Sequence, residues 1–166
     1  GRLEMRISTD GGICYDVLHE GTLLLEQSQA SMTLGDGRLY GGPDMKVRRA
    51  RTRSVDEVSR AVAYKKSEVR ENFNELELEC RGGYKVIFRA YDDACAYRFV
   101  SLAKTPFTVT DEQADFRFAE DWYAQIPYIN KKWKGSLEDI LVNDFQCPYT
   151  RSKLSGWKDR WSIMPL

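Results

Sequence analysis

The chain has 166 residues, and its 25 Lys+Arg against 25 Asp+Glu leave a formal net charge of zero. That balance excludes a nucleic-acid or anionic-membrane partner held mainly by charge, and 42% hydrophobic with 30% charged residues excludes a disordered composition. A chain of this length buries enough surface to build its own core with no obligatory metal or disulfide staple.

No run of 18 apolar residues occurs, so no membrane-spanning helix is expected. Residues Gly1 to Ile7 alternate charged and apolar side chains instead of forming a signal-type block, which predicts a soluble, already processed chain. Up to Phe118 the dominant period is two, the signature of half-buried strands. Leu3, Met5 and Ile7 alternate with charged neighbours, and Thr9-Asp10-Gly11-Gly12 turns into Ile13 to Val17, which predicts a hairpin. After His19-Glu20-Gly21 come Leu23-Leu24-Leu25 and then Ala30, Met32 and Leu34 alternating with polar residues; Gly35-Asp36-Gly37 and Gly41-Gly42-Pro43 mark a loop.

Between Lys46 and Arg53 lie Arg48, Arg49, Arg51 and Arg53, followed later by Arg60. A nucleic-acid stripe would use such a row, but glutamates follow closely. Cross-strand charge pairing accounts for the arginines without a polyanion. Residues 73 to 100 carry the strongest pattern. Leu76, Leu78 and Cys80 alternate with Glu75, Glu77 and Glu79, Arg81-Gly82-Gly83 turns, and Tyr84, Val86, Phe88 and Ala90 continue the inward row. Asp92-Asp93 makes the next turn, and Cys95, Tyr97 and Phe99 form a third strand's inward row, completing a meander. Ile87 and Tyr91 are apolar at outward positions, so a second sheet or another domain is expected to cover this face. Phe107 to Thr110 and Phe116 to Phe118 read as short strands.

From residue 119 onward the character changes. All four tryptophans, Trp122, Trp133, Trp157 and Trp161, fall here with no two-residue period, which predicts long loops and one short helix capped by Ser136. The expected fold is therefore all-β: an antiparallel sandwich over 1–118, with a loop-rich aromatic segment of the same domain over 119–166.

Little in the sequence points to catalysis. The four cysteines lack the short paired spacings of a zinc site; Cys80 and Cys95 read as small core residues, Cys147 as an exposed thiol and His19 as a solvated turn residue. Asp92-Asp93 fails as a glycosidase pair because adjacent strand residues point to opposite faces. Glu75, Glu77 and Glu79 share a face at about 7 Å spacing, and beside alternating leucines they read as the wet side of a strand. There is no phosphate loop, nucleophile elbow or placed histidine base. No catalytic residue and no metal ligand is assigned. Trp122 and Trp133 are the substrate-binding candidates, because they flank the segment from Tyr123 to Lys132 and an indole stacks on the apolar face of a sugar. Sealing a core edge or an interdomain surface is the competing use.

Three ordered stretches carry a resemblance: Arg53-Ser54-Val55-Asp56-Glu57, then Lys66 to Leu76, then Val86 to Phe99. Together with Asp10-Gly11-Gly12, Leu23-Leu24-Leu25-Glu26, Phe107 to Glu112 and Phe116-Arg117-Phe118, they resemble the amino-terminal domain of glycoside hydrolase family 97 over about residues 2 to 118. The resemblance implies a bacterial, periplasmic or secreted exo-acting α-glucosidase or α-galactosidase. Its parts would be an amino-terminal β-super-sandwich, a central (β/α)8 barrel that carries catalysis, and a small carboxy-terminal β domain. It also implies an active-site calcium to which the sandwich lends one glutamate, from a strand expected beyond Pro165-Leu166. On that basis the sandwich is truncated at its carboxy end, with unpaired edges and exposed apolar faces expected. The implied partner is the catalytic barrel of the same parent protein. This chain alone is expected to be inactive, and a free-standing carbohydrate-binding module is the alternative.

Overall fold

A computed structural model describes residues 2–62, 65–127 and 149–157. The chain divides into two compact units, Gly1–Ala119 and Glu120–Leu166, and among the described residues no helix is long and apolar enough to cross a membrane.

Among its described residues the first unit contains nine strands in two antiparallel sheets. One sheet holds β1 (Leu3–Ser8), β2 (Cys14–His19), β3 (Thr22–Leu34) and β4 (Leu39–Tyr40) in that order, with β9 (Val109–Ala114) also paired to β3. The other is the predicted meander, β5 (Val47–Arg60), β6 (Glu68–Cys80), β7 (Tyr84–Tyr91) and β8 (Cys95–Ser101). The first hairpin closes through Ser8 and Cys14 as its glycine turn requires. In β6 and β7 the alternation places Leu78, Cys80, Tyr84, Val86 and Phe88 inward, where they meet Ile13, Tyr15, Val17, Ala30, Leu34 and Tyr40 of the first sheet. Cys95, Tyr97 and Phe99 pack against that core from β8.

β3 is one strand where the sequence pattern shows two separate runs. Gln27 sits at φ 45°, pairing is irregular around Val17, and the Gln27 N–H donates to an Asp16 carboxylate oxygen at 2.7 Å. The extra residue shifts the alternation from odd to even positions, so Leu25 and then Ser28, Ala30 and Leu34 all reach the interior. The two sheets are fastened at Gly41. The Tyr40 and Tyr84 rings stack with centroids 4.1 Å apart, and the Gly41 N–H donates to the Tyr84 hydroxyl at 3.0 Å.

β5 and β6 pair along their whole length, from Val47 opposite Cys80 to Arg60 opposite Glu68. β7 reaches only Phe73 to Cys80 of β6. The ribbon of Asp56–Arg60 with Glu68–Asn72 thus overhangs the sheet on two strands alone. Phe107 lies between β8 and β9, β9 begins only at Val109, and Phe118 makes a single bridge to Leu25, so the two short strands expected after Pro106 are one strand and a bridge.

In the second unit, β10 (Tyr123–Pro127) pairs antiparallel with β11 (Tyr149–Lys153), followed by one 3-10 turn, Leu154–Gly156. This segment therefore holds a β-ribbon where loops are expected. Each strand is five residues long, too short to show a period, and its partner lies far along the chain. Trp133, Trp161, Cys147 and the helix expected from Ser136 lie outside the described residues.

Candidate functional site

The charged face of the meander is built by register. Arg53 on β5 and Arg89 on β7 both stand opposite Glu75 on β6. Arg53 donates from Nε to Glu75 Oε1 at 2.6 Å and from Nη2 to Oε2 at 3.1 Å, and Arg89 Nε donates to Oε2 at 2.7 Å. The Arg89 guanidinium also lies 4.1 Å over the Phe73 ring. Glu75 is only 7% exposed, which corrects the expectation that the Glu75, Glu77, Glu79 row is simply wet. The arginine side chains close over it, and Glu77 and Glu79 are half-buried. Hydrogen bonding from Arg53, and then from Arg89, holds the Glu75 carboxyl below the ordinary glutamate range despite the opposing effect of burial. A carboxylate kept ionised and shared between two guanidiniums can neither give up a proton as a general acid nor offer free oxygens to a cation.

The rest of the arginine row is less paired than the sequence suggests. Arg70 makes a bidentate pair with Asp56, both bonds at 2.7 Å, and Lys85 pairs with Glu77 at 2.9 Å. Arg48, Arg49 and Arg51 make no ion pair among the described residues, although Arg49 and Arg51 stand opposite Glu79 and Glu77. Ile87, expected to need an outside cover, is already 8% exposed and shares a shallow hollow with Arg89, Tyr91 and Arg98.

The remaining candidates are scattered. Asp92 and Asp93 are exposed in the β7–β8 turn, and His19 is exposed at the end of β2. Cys80 is buried while Cys14 and Cys95 are half-buried. Burial pushes all three thiols up, the opposite of nucleophile activation. Among the described residues no three His, Cys, Asp or Glu side chains converge to hold a metal. With the best-placed carboxylate taken by arginines, the described residues do not fit the calcium that the family resemblance implies.

Trp122 lies just before β10 and is 37% exposed. Its backbone is fixed by its N–H to the Glu120 carbonyl and by the Leu154 N–H donating to its own carbonyl, both at 2.9 Å. Asp121 anchors the same corner, accepting from the Ser155 N–H at 2.8 Å and the Ser155 hydroxyl at 2.9 Å. Its carboxyl is held below the ordinary aspartate range by the first of these bonds. Among the exposed aromatics that sequence reasoning did not select is Tyr123. Arg151 and Lys153 both approach its ring to 4.6 Å from β11. The direct pairing of Tyr123 with Lys153 produces this grouping, and no feature of the sequence alone announces that pairing. Trp133, the other indole expected at this platform, lies outside the described residues.

The clefts of the first unit include two of several hundred Å³. One of about 490 Å³ is lined by Met5, Ile7, Ser54, Asn74, Leu76 and Phe88, with the Ser54 hydroxyl 2.6 Å from the Asn74 amide oxygen. The other, about 620 Å³, is mainly apolar and includes Leu3, Met5, Val17, Leu25, Tyr97 and Phe118. Phe107, Val109 and Phe116 are also exposed nearby in sequence. The first cleft is also lined by Glu75, already bonded to Arg53 and Arg89, and the second by Asp93 and Glu112.

The sequence profile of the glycosyl-hydrolase 97 N-terminal family matches residues 1–166. A curated retaining alpha-galactosidase of Bacteroides thetaiotaomicron is 36% identical over 167 residues; the match covers all of this chain and 25% of that protein. This chain thus spans about a quarter of the relative's length. Among solved structures, a beta-arabinopyranosidase superposes with a TM-score of 0.70 at 23% identity, covering 90% of this chain and 24% of that one. A glycoside hydrolase family 97 enzyme from Pseudoalteromonas sp. strain K8, solved with acarbose, gives 0.72 at 15% identity over 92% of this chain and 23% of its own. These two likenesses bear on the fold, and the match along the full length bears on descent: the chain belongs to the glycosyl-hydrolase 97 N-terminal family.

Proposed function

We propose that the chain is the noncatalytic amino-terminal β-sandwich domain of an exo-acting bacterial α-glycosidase, an α-galactosidase or α-glucosidase, exported to the periplasm or the medium. Its work is to pack on the catalytic barrel of the parent protein and shape the rim of the active site. The observation that carries this reading is the family match along residues 1–166 to a domain that makes up a quarter of a retaining alpha-galactosidase. Two features support it. The best-buried carboxylate is locked between guanidiniums and so has no acid–base role, and the apolar cleft near Phe118 offers surface for docking. The calcium implied by the family is assigned, within the same proposal, to donors outside the described residues. Purified chain incubated with aryl α-galactosides and aryl α-glucosides is expected to release no phenol; sustained turnover that survives repurification would overturn the reading.

Exposed aromatics on the ribbon favour a second reading, a carbohydrate-binding module using Trp122 and Trp133. Trp122 is partly exposed, and Tyr123 and Tyr149 are 60% and 69% exposed. Calorimetric titration with maltooligosaccharides and galactosides separates the two: binding that disappears in Trp122→Ala supports the module, and silence at millimolar sugar supports the scaffold.

A further inference from the structure

Two Asp-Gly steps occur in the chain, Asp10-Gly11 in the turn between β1 and β2 and Asp36-Gly37 in the turn between β3 and β4. They match in most respects. All four residues are exposed, and both glycines are left-handed, Gly11 at φ 75° and Gly37 at φ 85°. Such a step carries a reaction of its own. With no side chain on the glycine to hinder it, the glycine nitrogen can attack the aspartate carboxyl carbon when that carboxyl is protonated and both groups are free to meet.

The two turns differ in how those groups are held. At Asp36 the Arg38 N–H donates to Oδ1 at 3.1 Å and Arg38 Nε donates to Oδ2 at 2.8 Å, while the Gly37 N–H, which would be the nucleophile, donates to the Leu34 carbonyl at 2.9 Å. The flanks are fixed as well: Leu34 N–H donates to the Arg38 carbonyl at 2.9 Å and Gly35 N–H to the Thr108 carbonyl at 2.8 Å. The Arg38 N–H, and then its guanidinium, hold the Asp36 carboxyl below the ordinary aspartate range and so in its unreactive ionised form. In the first hairpin the Asp10 N–H reaches the Ser8 hydroxyl at 3.4 Å, and neither the Asp10 carboxylate nor the Gly11 N–H has a partner among the described residues. The base of this turn is nevertheless fixed. Ser8 pairs with Cys14, and the Ile13 N–H donates to the Gly41 carbonyl at 2.9 Å.

We propose that Asp10-Gly11 is a site of spontaneous covalent modification, where aspartate converts to isoaspartate, and that the hydrogen bonds made by Arg38 and Gly37 slow the same reaction at Asp36-Gly37. The Gly11 nitrogen forms a bond to Asp10 Cγ as a Cγ–O bond breaks. The amide proton and the carboxyl OH leave together as one water, and a five-membered succinimide remains. Water then adds back to one ring carbonyl. Opening at the main-chain carbonyl sends the backbone through Cβ and frees the α-carboxylate, whereas opening at Cγ restores aspartate. The sequence of steps consumes no reagent, since the water lost is the water regained. This site is independent of the glycosidase reading and of the aromatic ribbon.

The test incubates the full chain in heavy-oxygen water at about pH 5, where an ordinary aspartate still carries some protons, and below its unfolding transition. Each passage through the succinimide leaves one heavy oxygen behind. Digestion after glutamate cuts at Glu20 and Glu26, between the two steps, so mass spectrometry reads them separately. Label should enter the Asp10 peptide about tenfold or more faster than the Asp36 peptide, because three hydrogen bonds must open before the second ring closes. The Asp10 peptide should also split into two chromatographic forms of equal mass. In concentrated urea the two rates should converge. Arg38→Ala, at an exposed position, should raise labelling at Asp36 about threefold or more and leave Asp10 unchanged. Asp10→Glu, whose ring would have six members, should abolish labelling in the first turn. Should Arg38→Ala fail to fold, the comparison of the folded parent chain with the same chain in urea decides alone. Equal rates in the folded chain, a difference that persists in urea, or a folded Arg38→Ala with Asp36 as slow as before would overturn the proposal.

Discussion

Glu75 shows how one carboxylate can be removed from chemistry by its neighbours. Because Arg53 and Arg89 favour its charged form, its folded-state affinity for a proton is lower than in the unfolded chain. The contribution to stability is therefore fully present above the ordinary glutamate range and is lost as pH falls through the depressed folded value. Glu75→Gln should cost about 1–3 kcal/mol at neutral pH, because two guanidiniums lose a charged acceptor. Urea unfolding of the variant followed by intrinsic fluorescence should show a flatter acid limb than the parent; an unchanged acid limb would deny the triad its role. The sequence shows the glutamate row and its face, but the closure of Arg53 and Arg89 over one member depends on a three-strand register that spacing along a single strand does not contain. Tyr40 and Tyr84 make a parallel point. They stack on each other and are equally buried, yet the Tyr84 hydroxyl accepts from Gly41 while the Tyr40 hydroxyl has no partner among the described residues.

At the scale of elements, the meander was legible because strict alternation, tight glycine turns and a uniformly apolar inward row agree with one another. Gly82 and Gly83 take positive φ between β6 and β7 as such a turn demands. The bulge at Gln27 was not legible, since it appears in sequence only as a change of phase that mimics two strands. The β10–β11 ribbon was hidden for another reason, its long separation along the chain. Gly41 combines a left-handed backbone with a close approach to another strand's main chain. It sits at φ 76°, and a Cβ there would lie 2.8 Å from both the Ala30 carbonyl oxygen and the Ile13 side chain. Gly41→Ala should destabilise by roughly 2 kcal/mol or more, combining left-handed strain with a backbone clash. The matching substitution at Gly37, which also has positive φ but open space around its Cβ position, should cost distinctly less. Parallel thermal melts of the two variants give the comparison, and equal losses would remove Gly41 from its place as fastener.

For the whole molecule, the decisive observation is that among the described residues the main buried cluster lies in the first unit, between Ile13 and Phe88 with partners from Leu3 to Phe99, while Ile126 is buried in the second. A chain ending at Ala119 should therefore retain its far-ultraviolet strand signature and unfold in one cooperative urea transition. A fragment that stays unfolded would show that residues after Ala119 are needed to close the sandwich. The two antiparallel sheets were legible in outline, since a period of two runs from Leu3 to Phe118. The choice between galactosidic and glucosidic substrates in the proposed function was not, because specificity is set by the atoms that touch the substrate and not by the fold.

The overhang of the β5–β6 ribbon past the end of β7 has a mechanical consequence. A cantilever of two strands, anchored at Phe73 where Tyr91 and Arg89 hold its root, can flex about that root while the hydrophobic interior stays closed, because its distal pairs share no side chains with the core. The chain thus combines a stiff base with a compliant lever, and loads applied at the tip are spent in bending before they reach the sandwich.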